Sequence, residues 1–432
     1  MPHAEATRVP GIDGRRLRNA LGGSAGSFVE WFDWFAYASF AIYFSRAFFP
    51  SGDQTAQLLN AALVFAGGFL ARPVGAWLLG RYADRHGRRA ALTVSVGTMC
   101  LGSLLIALVP VGLGGWSALM LVAARLLQGL SVGGEYGASA TYVSEIARHG
   151  QRGFWSGFLY VTIIGGQLAA MLLQVVLQAL LSEAELYAWG WRSPFVVGAA
   201  LAVVVFWLRR GIDESGAFAA GAGAGRAHGG ALDLFREYPR ETAVVVVITA
   251  GGGSAFYTYT TYMQKLLVNS AGLEKAAVSQ VMTAALATFL LLPPLVGWLA
   301  DRLGHRVTLA TSFGAGALLA VPCLSALSRV QEPWLAYVLL LAPMLALSGY
   351  TALSAVVKAE LYPAHVRALG VALPYALAMA VFGGNVETAA LTLKRIGFES
   401  AFYWLFAALL AAGCVAAMTV PETSREGRIG RQ

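Results

Sequence analysis

The stretch GRYADRHGRR, residues 80–89, recurs further along as GWLADRLGHR, residues 297–306. Gly80, Asp84, Arg85, Gly87 and Arg89 match Gly297, Asp301, Arg302, Gly304 and Arg306, every pair at one constant offset. Each copy directly follows a long apolar run. A second echo lies beyond it: Glu145 and Arg152 stand at the same separation as Glu360 and Arg367. Polar signatures duplicated at equivalent loops of an apolar chain predict two related halves with a site between them, as in secondary transporters.

The composition agrees. Of 432 residues 57% are apolar and only 12% charged, whereas about a quarter of a soluble protein's residues carry charge. Runs of about 20 apolar residues, each long enough to cross a bilayer, fall at roughly 21–45, 57–80, 90–110, 117–146, 154–180, 191–210, 241–266, 277–300, 307–328, 333–361, 368–393 and 399–420. The expected architecture is all-α and integral to the membrane: twelve transmembrane helices in two six-helix bundles. A cytoplasmic segment (1–20) precedes the first bundle (21–210). A Gly/Ala-rich cytoplasmic linker (211–240), flexible by composition, leads to the second bundle (241–420) and a tail (421–432).

The first twenty residues carry Arg8, Arg15, Arg16 and Arg18 with no apolar core or cleavage site, so the first span reads as a retained helix. Most Lys and Arg then fall on one side, including Arg81, Arg85, Arg88, Arg89, Arg148, Arg152, Arg209 and Arg210, whereas Arg46, Arg192, Lys265, Lys275, Arg329, Lys394 and Arg395 fall on the other. This positive-inside bias puts both termini in the cytoplasm and makes the net charge of +8 a matter of topology, not a nucleic-acid footprint. Cys100, Cys323 and Cys414 sit singly in three different spans and read as small apolar fillers. No metal-ligand spacing, phosphate loop or nucleophile triad occurs. The expectation is therefore a non-enzyme without cofactor or metal.

The duplicated loops need glycine for tight turns, and Asp84 is expected near the start of the third helix, where the helix dipole favours a carboxylate. Gly80, Asp84, Arg85, Gly87 and Arg88, with Asp301 and Arg302 in the second copy, would form a cytoplasmic latch. Glu145, Glu360 and Arg367 supply charged partners at neighbouring helix ends. The alternative is a solvated charge cluster.

Inside the spans lie Asp33, Arg72 and Arg125. A charge at membrane depth costs at least ~2.5–3.5 kcal/mol, so such residues face a partner, a cavity or a substrate path. At about 1.5 Å of rise per residue, Asp33 and Arg125 both lie ~18 Å from the inner face. Glu30 and Arg72 lie at ~13 and ~12 Å. Two pairings are expected: Asp33 with Arg125, and Glu30 with Arg72. Asp33, with Glu30 one turn before it, would couple protons, unless the Asp33–Arg125 pair is permanently structural. Arg72, before Pro73, is either a carboxylate clamp or Glu30's structural partner; the guanidinium fork suits a clamp. Gln128 is a candidate substrate hydrogen-bonder and Glu135 a gate, with helix packing open for both. Tyr257, Tyr259 and Tyr262 either help select substrate or form an interfacial aromatic belt. Lys358 is either a third cation or a side chain that snorkels to the inner face. Glu387 is either an outer gate or a packing residue.

The duplicated loop resembles the signature of the major facilitator superfamily. VEWFDWFAY (29–37), GGFLARPVGAWLLG (67–80), ARLLQGLSVGGEYGASATYVSE (124–145) and WGWRSPF (189–195) are similar to its metabolite:proton symporter branch. YTTYMQKLLVNSAG (259–272) and KAELYPAHVRALGV (358–371) point within that branch to dicarboxylate carriers. The resemblance implies a proton symporter of the bacterial inner membrane that takes up a dicarboxylate, 2-oxoglutarate first, with a carboxylate, protons and the lipid bilayer as its partners. It implies no obligate protein partner. Citrate, shikimate and betaine or proline carriers share the scaffold. Only about eleven residues follow Pro421, too few for the heptads some osmosensing carriers bear. A non-transporting receptor is the remote alternative.

Overall fold

The computed structural model describes residues 14–50, 52–86, 88–132, 140–141, 144, 147, 150–210, 231–363 and 366–422, and among them every regular element is helical. The long helices are α1 (Gly14–Phe48), α2 (Gln54–His86), α3 (Arg88–Leu108), α4 (Gly115–Val132), α5 (Arg152–Leu180), α6 (Ser193–Arg210), α7 (Pro239–Asn269), α8 (Lys275–Leu303), α9 (His305–Leu327), α10 (Pro333–Leu361), α11 (Arg367–Arg395) and α12 (Glu399–Thr419). Among the described residues, ten helices are long and apolar enough to cross a membrane; α1 and α3 fall outside that set. In α1 the cause is visible: Glu30, Asp33 and a run of Trp and Tyr lower its hydropathy. Large apolar side chains face outward in number, Leu318, Leu180, Leu70 and Trp77 among them. An apolar exterior is natural where the solvent is lipid.

Glycine permits the closest helix crossings. A Cβ on Gly129 would run into the backbone of Gly68, and one on Gly75 into Leu130, so α2 and α4 touch backbone to backbone. The turn between α8 and α9 is Gly304 at φ +108°, a conformation that side chains disfavour. Two helices are locally widened and underwound: α7 carries a π-helical segment at Thr258–Tyr262 and α11 another at Met379–Gly383. Such bulges gather at functional positions because they re-aim side chains and free backbone groups. Helix α5 packs along α8 and α2 along α11, which joins the part of the chain before residue 211 to the part after 230.

One expectation about the loops is corrected here. Helix α2 continues to His86 before α3 begins at Arg88, so Asp84 lies at the end of α2, not at the start of the third helix. Glu135, Glu145 and Gly87, and the side chains of Asp84, Arg85 and Arg88 with Gly80's surroundings, lie outside the described residues.

Candidate functional site

Helix α1 presents Trp31, Trp34 and Tyr37 at successive turns, and α2, running antiparallel, presents Phe69 and Phe65 opposite them. The two intramembrane arginines insert into this aromatic ladder. The Arg72 guanidinium carbon lies 4.0 Å from the Trp34 ring centroid, 4.1 Å from Phe69 and 5.4 Å from Trp31. The Arg125 carbon lies 4.1 Å from Trp34, 4.4 Å from Tyr37 and 5.2 Å from Phe65. Trp34 is thus shared, with one arginine toward Trp31 and the other toward Tyr37. Both arginines are buried, at 5% and 0% exposure. Their carbons are no farther apart than the sum of the two Trp34 distances. Over that span, at an effective dielectric of about 20, their mutual repulsion is at least roughly 2 kcal/mol. A desolvated cation–π contact offsets a similar amount, about 2 kcal/mol.

Asp33 and Arg125 meet at one level, but not as the direct ion pair expected from their depths. Arg125 Nη1 donates to Gln128 Oε1 at 2.7 Å, and Gln128 Nε2 donates to Asp33 Oδ2. Ser103 Oγ donates to Asp33 Oδ1 at 2.6 Å, and Gln128 Nε2 also reaches Ser103 Oγ at 3.1 Å. Gln128 therefore relays between cation and anion. The reason is geometric: Gln128 follows Arg125 by one turn on α4, so its amide lies between the arginine and α1. Ser103 on α3 is a neighbour of this carboxylate that the sequence did not single out, since a lone serine in an apolar span carries no signal.

Glu30 is buried at 3% and lies within electrostatic reach of Arg72. Arg72 Nε and Nη2 nevertheless have no hydrogen-bond partner among the described residues, and neither do Arg125 Nε and Nη2. Buried guanidinium donors are costly to leave unpaired, and four such nitrogens lie here beside one indole. Tyr257 comes to the same place from α7. Its ring packs edge-on to Phe69 at 5.2 Å and Phe65 at 6.1 Å, and its hydroxyl faces Arg72.

The interfacial-belt reading of the three tyrosines is corrected: Tyr257, Tyr259 and Tyr262 are all at 2% exposure or less. Tyr259 and Tyr262 turn toward α12, against Phe406 and Phe402. Lys358 does not snorkel either. It is fully buried, and its ammonium runs back along α10 to Ser354 Oγ at 2.8 Å and Tyr350 Oη at 3.4 Å, with the Tyr375 ring 4.7 Å away. Helical side chains lean toward the N-terminus, which here is toward the membrane centre. Tyr375 is also within electrostatic reach of Arg72, so it lies between the two basic positions.

Polar links tie the two parts of the chain at both ends. At one end Arg152 pairs with Glu360 at 2.9 Å, both buried. Asp301 accepts from the backbone N–H groups of Gly153 at 2.7 Å and Phe154 at 3.0 Å. A carboxylate of the duplicated loop thus does serve a helix N-terminus, that of α5 across the interface. Arg302 lies over Trp298 at 3.5 Å, and Arg367 Nε donates to Ala359 O at 3.1 Å. At the other end Lys265 Nζ donates to Ala38 O at 2.7 Å and pairs with Glu387 at 2.8 Å. Lys265, read from sequence as an external topological charge, is 1% exposed. Gln178 Nε2 reaches Ser279 Oγ at 3.0 Å, Asn269 Nδ2 reaches Thr55 Oγ1 at 3.2 Å, and Lys275 pairs with Glu183 at 2.5 Å. Glu183 lies between α5 and α6, and the Lys275 hydrogen bond holds its carboxyl below the ordinary value.

The chain as a whole is similar to known proteins. The family described as Major Facilitator Superfamily matches residues 23–384 and 267–431. The alpha-ketoglutarate permease of Escherichia coli (strain K12) is 50% identical over 392 residues, covering 90% of each chain. A citrate-proton symporter of Klebsiella pneumoniae is 33% identical, over 93% of this chain and 92% of its own. The proline/betaine transporter of Escherichia coli (strain K12) is 27% identical, over 96% and 85%. Among solved structures, the proton:xylose symporter XylE bound to a bromodeoxyglucose superposes with a TM-score of 0.75 at 17% identity, over 96% of this chain and 97% of that one.

Proposed function

The chain belongs to the major facilitator superfamily, and from that premise we propose that it carries 2-oxoglutarate into the cell together with protons by alternating access. It is a transporter, not an enzyme. The observation that carries the reading is the pair of buried arginines on Trp34, four of whose N–H groups lack a partner among the described residues. Two cations suit the two carboxylates of a dicarboxylate, and Tyr257 adds a hydroxyl from the opposite half. The similarity to a 2-oxoglutarate permease over most of the chain supports the same substrate.

The coupling follows from the relay. A substrate carboxylate on Arg125 competes with Gln128 for the guanidinium. Once released, Gln128 alters its hold on Asp33, and the aspartate takes up a proton as the free carboxylic acid. Reversing these steps inside returns proton and substrate. Glu30 would act beside Arg72 in the same way, and Lys358, with Tyr350, Ser354 and Tyr375, lies on the inner side of the path. Helices α1 and α3 complete twelve crossings, with both termini in the cytoplasm of a bacterium and the two six-helix bundles at 21–210 and 241–420. Asp84, Arg85, Asp301, Arg302, Glu360 and Arg367 serve as the inner latch.

The test is uptake of labelled 2-oxoglutarate into proteoliposomes under an imposed pH gradient, with excess succinate, citrate, shikimate or betaine. Gradient-dependent uptake blocked chiefly by unlabelled 2-oxoglutarate supports the reading. Stronger block by citrate would favour a citrate carrier, the reading the Klebsiella relative supports. No gradient-driven uptake by folded protein would overturn symport.

A further inference from the structure

We propose that Trp34 is a spacer: it fixes the separation of the Arg72 and Arg125 guanidiniums and thereby selects the dicarboxylate by chain length. This rests on the dicarboxylate reading and goes beyond it by naming what measures the substrate.

Three observations converge. First, the indole is the one ring that both arginines contact most closely, at 4.0 and 4.1 Å, while their remaining aromatic partners diverge. Arg72 shares Trp31 and Phe69, and Arg125 shares Tyr37 and Phe65. Trp34 is therefore the common seat of both guanidiniums, and any change in its shape or position changes both seats at once. Second, the indole is itself held. It is 1% exposed, with Phe69 edge-on at 4.9 Å and Phe65 at 5.4 Å. A Cβ on Gly68 would come within 2.9 Å of its Cη2, so the seat on α2 is shaped by the absence of a side chain. Third, each arginine keeps two buried N–H groups that lack a partner among the described residues, so each can take one carboxylate.

Two anion sites at a fixed separation bind best the diacid whose carboxylates match it. A chain one methylene shorter or longer must lose part of one contact or strain to keep it. A single methylene is worth roughly 10–200-fold in discrimination at a well-shaped site.

The experiment measures competition of succinate, glutarate and adipate against labelled 2-oxoglutarate uptake by the full-length chain in proteoliposomes. Wild type, Trp34→Phe, Trp34→Leu and Gly68→Ala are compared, each checked for a cooperative melt. The wild type is expected to prefer the five-carbon diacid. Trp34→Phe keeps an aromatic plane and should keep the order. Trp34→Leu removes the plane and should compress the preference by about 10-fold. Gly68→Ala moves the ring without changing its chemistry and should shift the ratios in the same sense. General damage to the protein would lower uptake without altering the ratios. If Trp34→Leu does not fold, Gly68→Ala decides. Wild-type ratios in every folded variant, Gly68→Ala included, would overturn the spacer and leave the carrier reading standing. Failure of all three diacids to compete even with the wild type would overturn the dicarboxylate reading and the spacer with it.

Discussion

At Asp33 three helices converge on one carboxylate, and a fourth makes room for it. Ser103 on α3 and Gln128 on α4 donate to it, while Gly198 on α6 faces it without a side chain. A Cβ at Gly198 would lie 2.5 Å from Asp33 Oδ1, so Gly198→Ala must push the carboxylate off at least one donor. A hydrogen bond to a charged group contributes about 1.5–3 kcal/mol, which converts to roughly 10–100-fold. Coupled uptake should fall by that order. Asp33→Asn should go further, abolishing gradient-driven accumulation while retaining exchange of labelled for unlabelled substrate. Gly97→Ala on α3, where nothing lies within 4 Å, is the control and should be neutral. Uptake and exchange in proteoliposomes distinguish the three. Asp33, Arg72 and Arg125 were legible in the sequence because charge in an apolar run is rare and expensive. Ser103, Gly198 and Trp34 were not, because serine, glycine and tryptophan are ordinary in membrane helices. Only the packing shows which of them face the charges.

Among the elements, the inner link between α5 and α10 joins the two echoes found in the sequence. Arg152 of one copy pairs with Glu360 of the other, crossing the interface and not closing within a half. Periodicity could find the repeated pair, but not the crossing, since partner choice depends on how the bundles dock. Removing one partner leaves a buried charge and costs about 3–5 kcal/mol. Arg152→Ala should therefore disfavour the state closed to the inside, and Arg152→Glu with Glu360→Arg should restore it. With Cys100, Cys323 and Cys414 replaced by alanine, a single cysteine at Ser156, buried where α5 meets α10, should be alkylated from the inside at least tenfold faster in Arg152→Ala, the fold-change equivalent to about 1.4 kcal/mol of that cost. An unchanged rate would show that this pair does not hold the inner face. The outer pair of Glu183 and Lys275 behaves differently with pH. Its carboxyl is held below the ordinary value, so the contribution is present above about pH 4.3 and fades only as pH falls through the depressed value. The exposed carboxylate makes it worth at most ~1 kcal/mol. Glu183→Gln should leave the shape of the uptake profile between about pH 5 and 8 unchanged. A shifted profile would place part of the proton response at the surface.

The whole molecule is tied at both ends at once. Arg152, Glu360 and Asp301 link the two parts of the chain at one end, the inner one in the proposed topology, and Lys265, Gln178 and Asn269 reach at the other end to Ala38, Ser279 and Thr55. Alternating access, as proposed, requires one set of links to break while the other holds. Lys265 and Glu387 lie on α7 and α11, each just after a π-helical segment. Both belong to the second half, so their buried pair can travel as a unit while Lys265 lets go of the Ala38 carbonyl. Neutral hydrogen bonds contribute about 0.5–1.5 kcal/mol each and one from an ammonium about 1.5–3 kcal/mol, so the two neutral links and the Lys265 link together approach, at their upper end, the ~5.5 kcal/mol that inverts a two-state population. Outer opening is then within reach of substrate binding and protonation together. Cysteines at Thr55 and Asn269, joined through reducible disulfides by a short bis-methanethiosulfonate reagent that releases sulfinate, should hold the outer face shut. External uptake should stop and return on reduction, while the cross-linked protein in detergent should still bind 2-oxoglutarate from its free inner side. Continued uptake through cross-linked protein would mean that α2 and α7 do not separate at this contact, and the outer opening would have to run between α5 and α8, where Gln178 meets Ser279.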